Sequence, residues 1–486
     1  MIRPEYEQIL SLAENYKSIP ICREIYADMM TPISILMRLS AVSKGYYLLE
    51  SVEGGEKWGR YSFLGYEPKM RVSCKDGIVK VEKSGKTEEI TTENPLEVLR
   101  GILKEYEAPT LENMPPFTGG FVGHFSYRMI RYAEPTLALD SGNMEDYDVM
   151  LFDKIIAYDH LKQKILLIVH IRTDRITENY SRAIAELQKM NDLIRNPAKL
   201  PEHASDKAVR FTCNQTKEEF CEMVQKAKKY IYQGDIFQAV VSRRFESPYR
   251  SSLINAYRVL RTTNPSPYMV YMKMEDKEIM STSPETLVRL ERGRLTTFPV
   301  AGSRPRGTTE EADQRLAEEL MADEKERAEH NMLVDLGRND LGRISRFGSV
   351  EVTEYMNIHK YSKIMHICSR VESDILENHD GLDAIASVLP AGTLSGAPKI
   401  RACEIIEELE KTPREIYGGA LGYLDFTGNM DTCIAIRMAV KKDDRVYVQA
   451  GAGIVADSVA EKEYVETGNK AGAVLRAIEN AGEVDA

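Results

Sequence analysis

The chain has 486 residues, and 43% of them are hydrophobic, which is enough for a substantial core in two or three ordinary domains or in one large entwined domain. A formal net charge of −11 argues against binding to nucleic acid or to an anionic membrane surface. The seven cysteines contain no Cys-x-x-Cys pair, and there is no apolar signal core and no apolar run of membrane-spanning length. We therefore expect a cytoplasmic, soluble protein with free thiols.

Short strands dominate the first part of the chain. An amphipathic helix is predicted over 1–18, and further helices are predicted over 95–106 and 177–191. Alternating apolar and polar segments bounded by turn residues predict the strands 46–51, 61–66, 70–74, 78–83, 86–91, 147–152, 154–159 and 164–171.

The remaining chain alternates strands with longer helices. The longest predicted helix runs from 308 to 336, and shorter ones are predicted at 216–233, 253–262, 381–389 and 398–410. The strands predicted among them are 237–245, 268–273, 277–281, 286–291, 294–299, 348–355, 363–372, 419–425, 430–440 and 445–449. Runs of adjacent strands followed by long helices indicate an α+β fold with large, mainly antiparallel sheets.

One segment has the composition of a linker. Residues 196–208 include Pro197, Pro201 and charges of both signs. We predict that this linker separates an N-terminal portion, residues 1–195, from a C-terminal portion, residues 209–486.

A stretch near the C-terminus has the pattern of an anion-binding site. A glycine turn, Gly451-Ala452-Gly453, is predicted after the strand 445–449, and Ser458 with Glu461 fits a capping box at the start of a helix. A strand, a turn with bare amides and a helix N-terminus together can bind an anion.

Two helices carry pairs of glutamates three residues apart. Glu326 and Glu329 share one face of the predicted helix 308–336, and Glu463 and Glu466 share one face of the C-terminal helix with Lys470. One inward-facing carboxylate from each helix would give a magnesium site with positions open for water and substrate oxygens. On spacing alone, solvated helix faces are the default interpretation of these pairs, and a metal site is the less frequent one.

Further motifs follow one another in a fixed order over nearly the whole chain. They are Leu48-Leu49-Glu50-Ser51, Asn264–Met269, Ser283-Pro284-Glu285, Pro299–Gly307, Glu329-His330, Leu333–Asp340, Met365-His366, Gly392–Lys399, Tyr417-Gly418-Gly419, Asp431–Arg437 and Gln449–Ser458. This ordered set resembles the chorismate-utilising enzymes and, within them, the component I proteins of anthranilate synthases. The resemblance implies two large mainly antiparallel sheets packed together with helices outside, with the N- and C-terminal portions entwined and the chorismate-binding chemistry in residues 209–486.

The resemblance also implies a magnesium-dependent reaction. Mg²⁺ is expected on the ring carboxylate of chorismate, held by Glu329 and Glu466, with Glu463 and the catalytic Glu326 behind them or linked through water. Such an ion neutralises the carboxylate and withdraws electrons, which helps the ring hydroxyl leave.

The second carboxylate of chorismate, on the enolpyruvyl group, is expected to meet Arg437, because a guanidinium binds a planar carboxylate through two hydrogen bonds. Apolar neighbours of Arg437 predict that its strand is buried, and a buried arginine needs an anion. The other residues that the resemblance assigns to substrate binding are Gly302, Ser303, Tyr417, Gly451, Ala452, Gly453 and Lys470.

The family reaction adds ammonia to ring C2 with loss of the C4 hydroxyl and then eliminates pyruvate, giving anthranilate, the first step of tryptophan biosynthesis. Glu285 is the expected general acid, with a pKa raised by burial and by nearby carboxylates. His366 is expected to move a proton in the elimination, and Thr393 to contact the substrate.

Two positions distinguish among the relatives. Isochorismate and salicylate synthases have a lysine base for water where this chain has Gln238, and aminodeoxychorismate synthases have a nucleophilic lysine where it has Ala301. Because neither lysine is present in this chain, we predict direct addition of ammonia and an anthranilate product. Aminodeoxychorismate synthase component I stays the alternative within the class, and a catalytically silent tryptophan-sensing subunit is the alternative outside it.

Regulation and partners follow from the same resemblance. Glu50, Ser51, Pro267, Tyr268 and Met269 resemble a feedback site for L-tryptophan, in which a carboxylate pairs with the ammonium and apolar side chains contact the indole. The chain has no glycine-flanked cysteine nucleophile with a later His and Glu, so we expect ammonia from a separate glutamine amidotransferase subunit in a heteromer.

Overall fold

Two antiparallel sheets with helices outside them form the structure, a computed structural model that describes residues 2–51, 59–196, 199–206, 208–361 and 364–484. The α+β prediction is therefore confirmed. Strands such as Tyr147–Phe152 are buried along their whole length because one face packs on the opposite sheet and the other on helices. In the described ranges, no helix has both the length and the apolar character needed to cross a membrane.

The first sheet combines strands from both portions of the chain. From edge to edge, its order is Ile2–Arg3, Ser18–Tyr26, Lys164–Arg172, Lys154–Asp159, Tyr61–Tyr66, Tyr46–Glu50, Tyr268–Lys273, Lys277–Ser283, Met438–Lys442, Arg445–Ile454, Gln238–Pro248 and Thr212–Cys213, with Gly396–Ala397 paired to Gln238–Pro248.

The second sheet is mixed in the same way. Its order is Val300–Pro305, Ile364–Asp374, Arg294–Thr297, Thr286–Glu291, Met430–Ile434, Ala420–Asp425, Gly120–Phe125, Tyr147–Phe152, Met70–Lys75, Ile78–Lys83 and Lys86–Thr91, with Glu351–Lys360 paired to Ile364–Asp374.

The two portions of the chain meet inside each sheet. In the first sheet Glu50 is directly opposite Met269, and in the second Gly123 is directly opposite Gly422. The predicted entwining is therefore confirmed. The described part of the linker 196–208 is also held to the body, since His203 accepts a hydrogen bond from Asn255.

Helices cover the outer faces of both sheets. Their bounds are Tyr6–Leu12, Pro32–Val42, Leu96–Glu105, Ile130–Ala133, Ile176–Arg195, Lys217–Gln233, Ile254–Thr263, Glu310–Ala322, Glu324–Gly342, Gly381–Val388, Lys399–Leu409 and Ala460–Glu479. The largest apolar clusters lie between the first sheet and its helices, between the second sheet and its helices, and between the sheets.

Two predicted helices differ from those observed. The helix over 1–18 is confined to Tyr6–Leu12, because Ser18–Tyr26 pairs as a strand. The helix over 308–336 is two helices with a break at Asp323, whose carboxylate accepts hydrogen bonds from the amides of Lys325 and Glu326 and so caps the second helix.

Candidate active site

The glutamate pairs of two separate helices face each other. Glu326 and Glu329 lie near the start of helix Glu324–Gly342, and the charge of Glu466 on helix Ala460–Glu479 reaches both of them. Burial, together with the negative charges around them, raises the pKa of Glu326 and of Glu329. Burial also raises the pKa of Glu463.

This donor set fits a hard divalent cation. Across the described ranges, the carboxylates of Glu326 and Glu329 have neither a hydrogen bond nor an ion pair, although both are partly buried. Carboxylate oxygens from two facing helices that repel one another are the ligands that Mg²⁺ prefers. Lys470 is a compensating charge on the second helix, and its ammonium lies 2.7 Å from Glu466 and 3.1 Å from the carbonyl oxygen of Gly451.

The glycines of the predicted anion site lie in a strand, which corrects the predicted turn. Strand Arg445–Ile454 continues through Gly451 and Gly453, which pair with Ser242 and Val240. On its other side, strand Met438–Lys442 pairs only as far as Val448, so residues 450–454 have no strand partner there within the described chain.

Close packing explains why two of these residues are glycines. A Cβ at Gly451 would lie 2.9 Å from the hydroxyl of Tyr417, and a Cβ at Gly453 would lie 2.5 Å from the amide nitrogen of Gln238. The Tyr417 hydroxyl therefore lies beside the Gly451 backbone, which places Tyr417 at the open edge of the strand.

The start of the C-terminal helix also differs from the prediction. The helix begins at Ala460, and its N-cap is Val459 without a side-chain cap. The Ser458 hydroxyl instead accepts a hydrogen bond from the amide of Val455, so the predicted capping box is absent.

Arg437 lies where the chain crosses from one sheet to the other. Strand Met430–Ile434 belongs to the second sheet and Met438–Lys442 to the first, so the continuous strand predicted over 430–440 is broken. Arg437 occupies the crossover with a φ of 45°, a left-handed conformation that costs about 1–2 kcal/mol for a residue other than glycine.

The Arg437 guanidinium has no hydrogen bond or ion pair to any described residue. Burial lowers its pKa, and the charge of Glu285 opposes that shift. Arg437 lines a cavity of about 50 Å³ together with His366, Tyr361 and the segment 264–267. A cation without a partner beside a cavity is suited to an anionic ligand.

Glu285 lies at a second crossover, between strands Lys277–Ser283 and Thr286–Glu291. Burial raises the pKa of Glu285 to about 8, although the Thr393 hydroxyl and the charges of Arg437 and Lys470 lower it. Burial thus acts as expected, but the carboxylate neighbours that we predicted are replaced by cations.

The Thr393 side chain is close to Glu285 but poorly paired. Its hydroxyl is near enough to the Glu285 carboxyl group to lower the pKa of that group. No well-aligned hydrogen bond joins the two, and among the described residues the buried Thr393 oxygen has no other partner. A substrate hydroxyl could supply that missing partner.

His366 is held in one tautomer. Its Nδ1 lies 2.8 Å from the carbonyl oxygen of Gly302, and a carbonyl only accepts, so Nδ1 carries the hydrogen and Nε2 is left to accept a proton. Burial lowers the pKa of His366, so the ring is neutral near pH 7. Ser303 pairs directly with His366, and a Cβ at Gly302 would lie 3.0 Å from Glu326.

The residues that we predicted for catalysis therefore form one group that is linked by electrostatic contacts around the two sheet crossovers. We call it the carboxylate cleft and define it by the two glutamate pairs with Lys470, Glu285, Thr393, His366, Arg437, Tyr417 and the strand edge 450–454.

The two positions that distinguish among relatives are also buried. Gln238 contacts Gly453, and its amide oxygen is without a partner in the described part of the chain. Ala301 is directly opposite Ile367 in the second sheet and offers no amine.

The predicted tryptophan residues line a different space, which we call the side cavity. It has a volume of about 410 Å³ and is lined by Glu50, Ser51, Pro267, Tyr268 and Met269 among others.

Two carboxylates of the side cavity, those of Glu50 and Asp431, already have partners. Glu50 is bound by Arg261 at 2.6 Å and by the Tyr257 hydroxyl at 2.7 Å, rather than being left open for a ligand ammonium. The Tyr268 hydroxyl donates to Asp431 at 2.9 Å.

Another cluster of possible metal ligands is already neutralised by the chain's own cation. His124, Glu145 and Asp148 offer ligand atoms within 4.8 Å of one another. The buried ammonium of Lys277 contacts both carboxylates, at 2.6 Å from Asp148, and Arg71 binds Asp148 as well. These residues form an ion network rather than an open metal site.

One ion pair beside the cleft was not predicted from the sequence. Lys399 contacts both carboxylate oxygens of Asp340 at 2.9 Å. Both residues end motifs that we had identified, Gly392–Lys399 and Leu333–Asp340, but nothing in either motif alone indicates that the two meet.

The chain is similar to known proteins over nearly its whole length. The family model for chorismate binding enzymes matches residues 47–476. Anthranilate synthase component 1 of Acetivibrio thermocellus is 47% identical, covering 100% of both chains, and that of Aquifex aeolicus is 46% identical, covering 98% of both.

Solved structures give the same result for the fold. Anthranilate synthase component I from Streptococcus pneumoniae has a TM-score of 0.77 and 36% identity, covering 93% of this chain and 98% of that one. The menaquinone-specific isochorismate synthase of Escherichia coli, at 17% identity and a TM-score of 0.68 over 97% of this chain and 98% of that one, shares the fold alone.

Proposed function

The chain belongs to the chorismate-binding enzymes and, within them, to the anthranilate synthase component 1 group, and from this premise we propose how the carboxylate cleft makes anthranilate. The observation that carries the proposal is the placement of a buried acid, Glu285, near the cation Arg437, which has no ion partner among the described residues, at two crossovers between the sheets. Such a cleft both binds a dianion and supplies a proton.

Chorismate has two carboxylates, and the cleft offers two places for them. Arg437, with Tyr417 and the strand edge 450–454, suits the enolpyruvyl carboxylate, because its guanidinium has no competing partner among the described residues. For the ring carboxylate, Mg²⁺ held by Glu329 and Glu466, with the other two glutamates behind, would supply charge neutralisation and electron withdrawal.

In the first step, the lone pair of ammonia forms a bond to ring C2 while the ring double bonds shift and the C4–O bond breaks. Glu285 donates its proton to the departing hydroxyl, which leaves as water. This role requires a protonated carboxyl group, and a pKa of about 8 keeps it protonated at neutral pH. Thr393 hydrogen-bonds the substrate beside that carboxyl group.

In the second step, the proton on C2 is removed, the bond between the ring and the enolpyruvyl oxygen breaks, and the enolpyruvyl methylene gains a proton to give pyruvate. His366 moves this proton through Nε2, since Nδ1 is committed to the carbonyl of Gly302.

The test is anthranilate fluorescence from the purified chain with chorismate, Mg²⁺ and ammonium. We expect a signal that is lost with EDTA. Accumulation of aminodeoxychorismate instead would favour the rival synthase and overturn the argument from Gln238 and Ala301. Absence of any chorismate consumption would favour a silent tryptophan-sensing subunit.

We also propose that a separate glutamine amidotransferase, component 2 of the synthase, supplies ammonia. Relatives of this chain are named component 1, which implies a second component. Glutamine alone should give no anthranilate, and glutamine with a component 2 protein should restore the rate seen with ammonium. Glutamine-dependent activity of the isolated chain would contradict this.

We further propose that the side cavity binds L-tryptophan and inhibits the reaction. Two observations support a link to the cleft. Pro267 lines both the side cavity and the small cavity beside Arg437. Arg261, which holds Glu50, lies on helix Ile254–Thr263, and that helix leads directly into the shared segment 264–267.

A ligand ammonium at Glu50 would compete with Arg261 and so shift that helix and segment. Calorimetry should therefore detect tryptophan binding to the parent chain. Binding that persists without inhibition would retain the cavity as a ligand site but overturn the regulatory proposal.

A further inference from the structure

A buried ion pair ties the Thr393 loop to the glutamate helix. Asp340, on helix Glu324–Gly342, receives the Lys399 ammonium on both carboxylate oxygens at 2.9 Å. The side chains of the two residues are only 13% and 11% exposed. The pair therefore joins two segments that are distant in sequence at a site shielded from water.

Lys399 also closes the loop on itself. Its ammonium donates a third hydrogen bond to the carbonyl of Val388 at 3.1 Å. Val388 ends helix Gly381–Val388 and Lys399 begins helix Lys399–Leu409, so the Lys399 ammonium joins the two ends of the loop beside the Asp340 carboxylate. The hydroxyl of Ser387 donates to the backbone carbonyl of Asp340 and adds a further tie.

The middle of this loop carries Thr393. A short turn, Gly392–Leu394, presents it beside Glu285. Gly392 packs so closely on the glutamate helix that a Cβ there would lie 1.6 Å from Leu336. This contact seats the loop that carries Thr393 directly on the glutamate helix.

The same helix face continues to the metal ligands. Glu329, Leu333, Leu336 and Asp340 are spaced four, three and four residues apart, which aligns them along one side. A cavity of about 40 Å³ lies between this face, Glu285 and the loop, so the loop has room to shift if its tie is removed.

We infer that Asp340 and Lys399 are positioning residues for the reaction, which fix Thr393 against Glu285 and set the loop at a constant distance from the Glu326 and Glu329 carboxylates. This inference rests on the proposed function, because it assigns Thr393 to the reacting substrate. The pair itself contacts no substrate. A buried ion pair is weak evidence for stability, and a role in geometry accounts for its place here.

The test is a double-mutant cycle between Lys399→Met and Thr393→Val. We expect Lys399→Met to lower kcat about tenfold or more with the KM for chorismate and the affinity for Mg²⁺ changed less than about twofold. Because Lys399 acts through Thr393, the double variant should be no slower than the slower single variant. Lys399→Arg should recover part of the rate.

Lys154→Met is the matched control. The Lys154 side chain is also only 10% exposed, and its ammonium lies between the carboxylates of Glu67 and Glu186. None of these three residues lines the side cavity or the small cavity beside Arg437. It should lower the melting temperature about as much as Lys399→Met without lowering kcat. If Lys399→Met does not fold, Asp340→Asn takes its place in the cycle.

The outcomes distinguish a failure of the proposed function from a failure of the positioning role. A parent chain that makes no anthranilate would overturn the proposed function itself. If the parent is active, two outcomes would overturn the positioning role alone. One is a double variant whose loss of kcat is the product of the two single losses. The other is a Lys154→Met control that loses as much kcat as Lys399→Met.

Discussion

The carboxylate cleft and the side cavity differ in how their charges are compensated. In the cleft, Arg437, Glu326 and Glu329 have no ion partner among the described residues. In the side cavity, Glu50 is bound by Arg261 and Asp431 by the Tyr268 hydroxyl. Unpaired buried groups are costly, so the cleft is complete only with a charged ligand, whereas the side cavity is stable empty.

The difference in charge compensation determines how ligand binding at each site should change the free energy of unfolding. The cleft is destabilised by its own ligands' absence, so ligand binding there should raise stability strongly. A ligand in the side cavity must break existing ion pairs and hydrogen bonds. Its effect on stability therefore depends on a conformational change and not on neutralising charges that lack a partner. The predictions below test this contrast.

The largest effect is expected from Glu329→Gln. Loss of one carboxylate oxygen donor should lower kcat/KM about 10³-fold and weaken Mg²⁺ binding measured by calorimetry. Removing a repelling charge should also leave the metal-free protein no less stable than the parent. Glu324→Gln, an exposed position on the same helix, is the control. A variant with more than a tenth of parental activity would contradict the metal assignment.

Arg437→Met should be next in size, with a loss of about 10²-fold that falls mainly on the KM for chorismate. Because the guanidinium is half-buried without a partner, its removal should raise the melting temperature. Arg338→Met removes an exposed pair with Asp335 and serves as the control. A fall in melting temperature would mean that Arg437 is paired in solution.

The pH dependence follows from Glu285. Its pKa is raised from 4.5 to about 8, so above about pH 8 the carboxyl group loses the proton that the proposed mechanism requires. At a constant concentration of unprotonated ammonia, kcat should fall about tenfold per pH unit there. A rate that is flat to pH 10 would exclude Glu285 as the acid.

The same shift affects stability. Between pH 4.5 and about 8 the folded state holds a proton that the unfolded state has lost, so stability contributed by this group is present below pH 4.5 and is lost as the pH rises through about 8. Glu285→Gln should flatten this slope in denaturant titrations at several pH values. An unchanged slope would contradict the raised pKa.

Glu50→Gln should have the smallest effect on the uninhibited rate, less than about twofold, because the side cavity does not contact the reacting atoms. It should abolish inhibition by L-tryptophan, since an amide cannot pair with the ligand ammonium. Glu67→Gln, a carboxylate outside both cavities, is the control. Equal inhibition of the variant and the parent would remove Glu50 from the site.

The fold class and most strands could be predicted because period-two patterns between turn residues are local signals. The helix break at Asp323 was missed because the helix pattern on both sides is continuous. The glycines at 451 and 453 were assigned to a turn because sequence alone does not show the neighbours, Tyr417 and Gln238, that leave no room for a Cβ.

Sequence motifs named the residues of the candidate site but did not predict the electrostatics around them. Ordered motifs named Glu285 and Arg437, yet their proximity and the cationic surroundings of Glu285 follow from crossovers between the sheets. The Asp340–Lys399 pair was missed for the same reason, since only the folded chain brings the ends of two motifs together.

The mixed strand order has a consequence for synthesis of the chain. Strand Tyr46–Glu50 can pair along one of its edges only after Tyr268–Lys273 has been synthesised. In the same way, one edge of Gly120–Phe125 has no partner until Ala420–Asp425 has been synthesised. The N-terminal half therefore emerges from the ribosome with unpaired strand edges, and such edges are prone to associate with other chains. A factor that shields those edges during translation should raise the yield of folded protein more than one that acts after release.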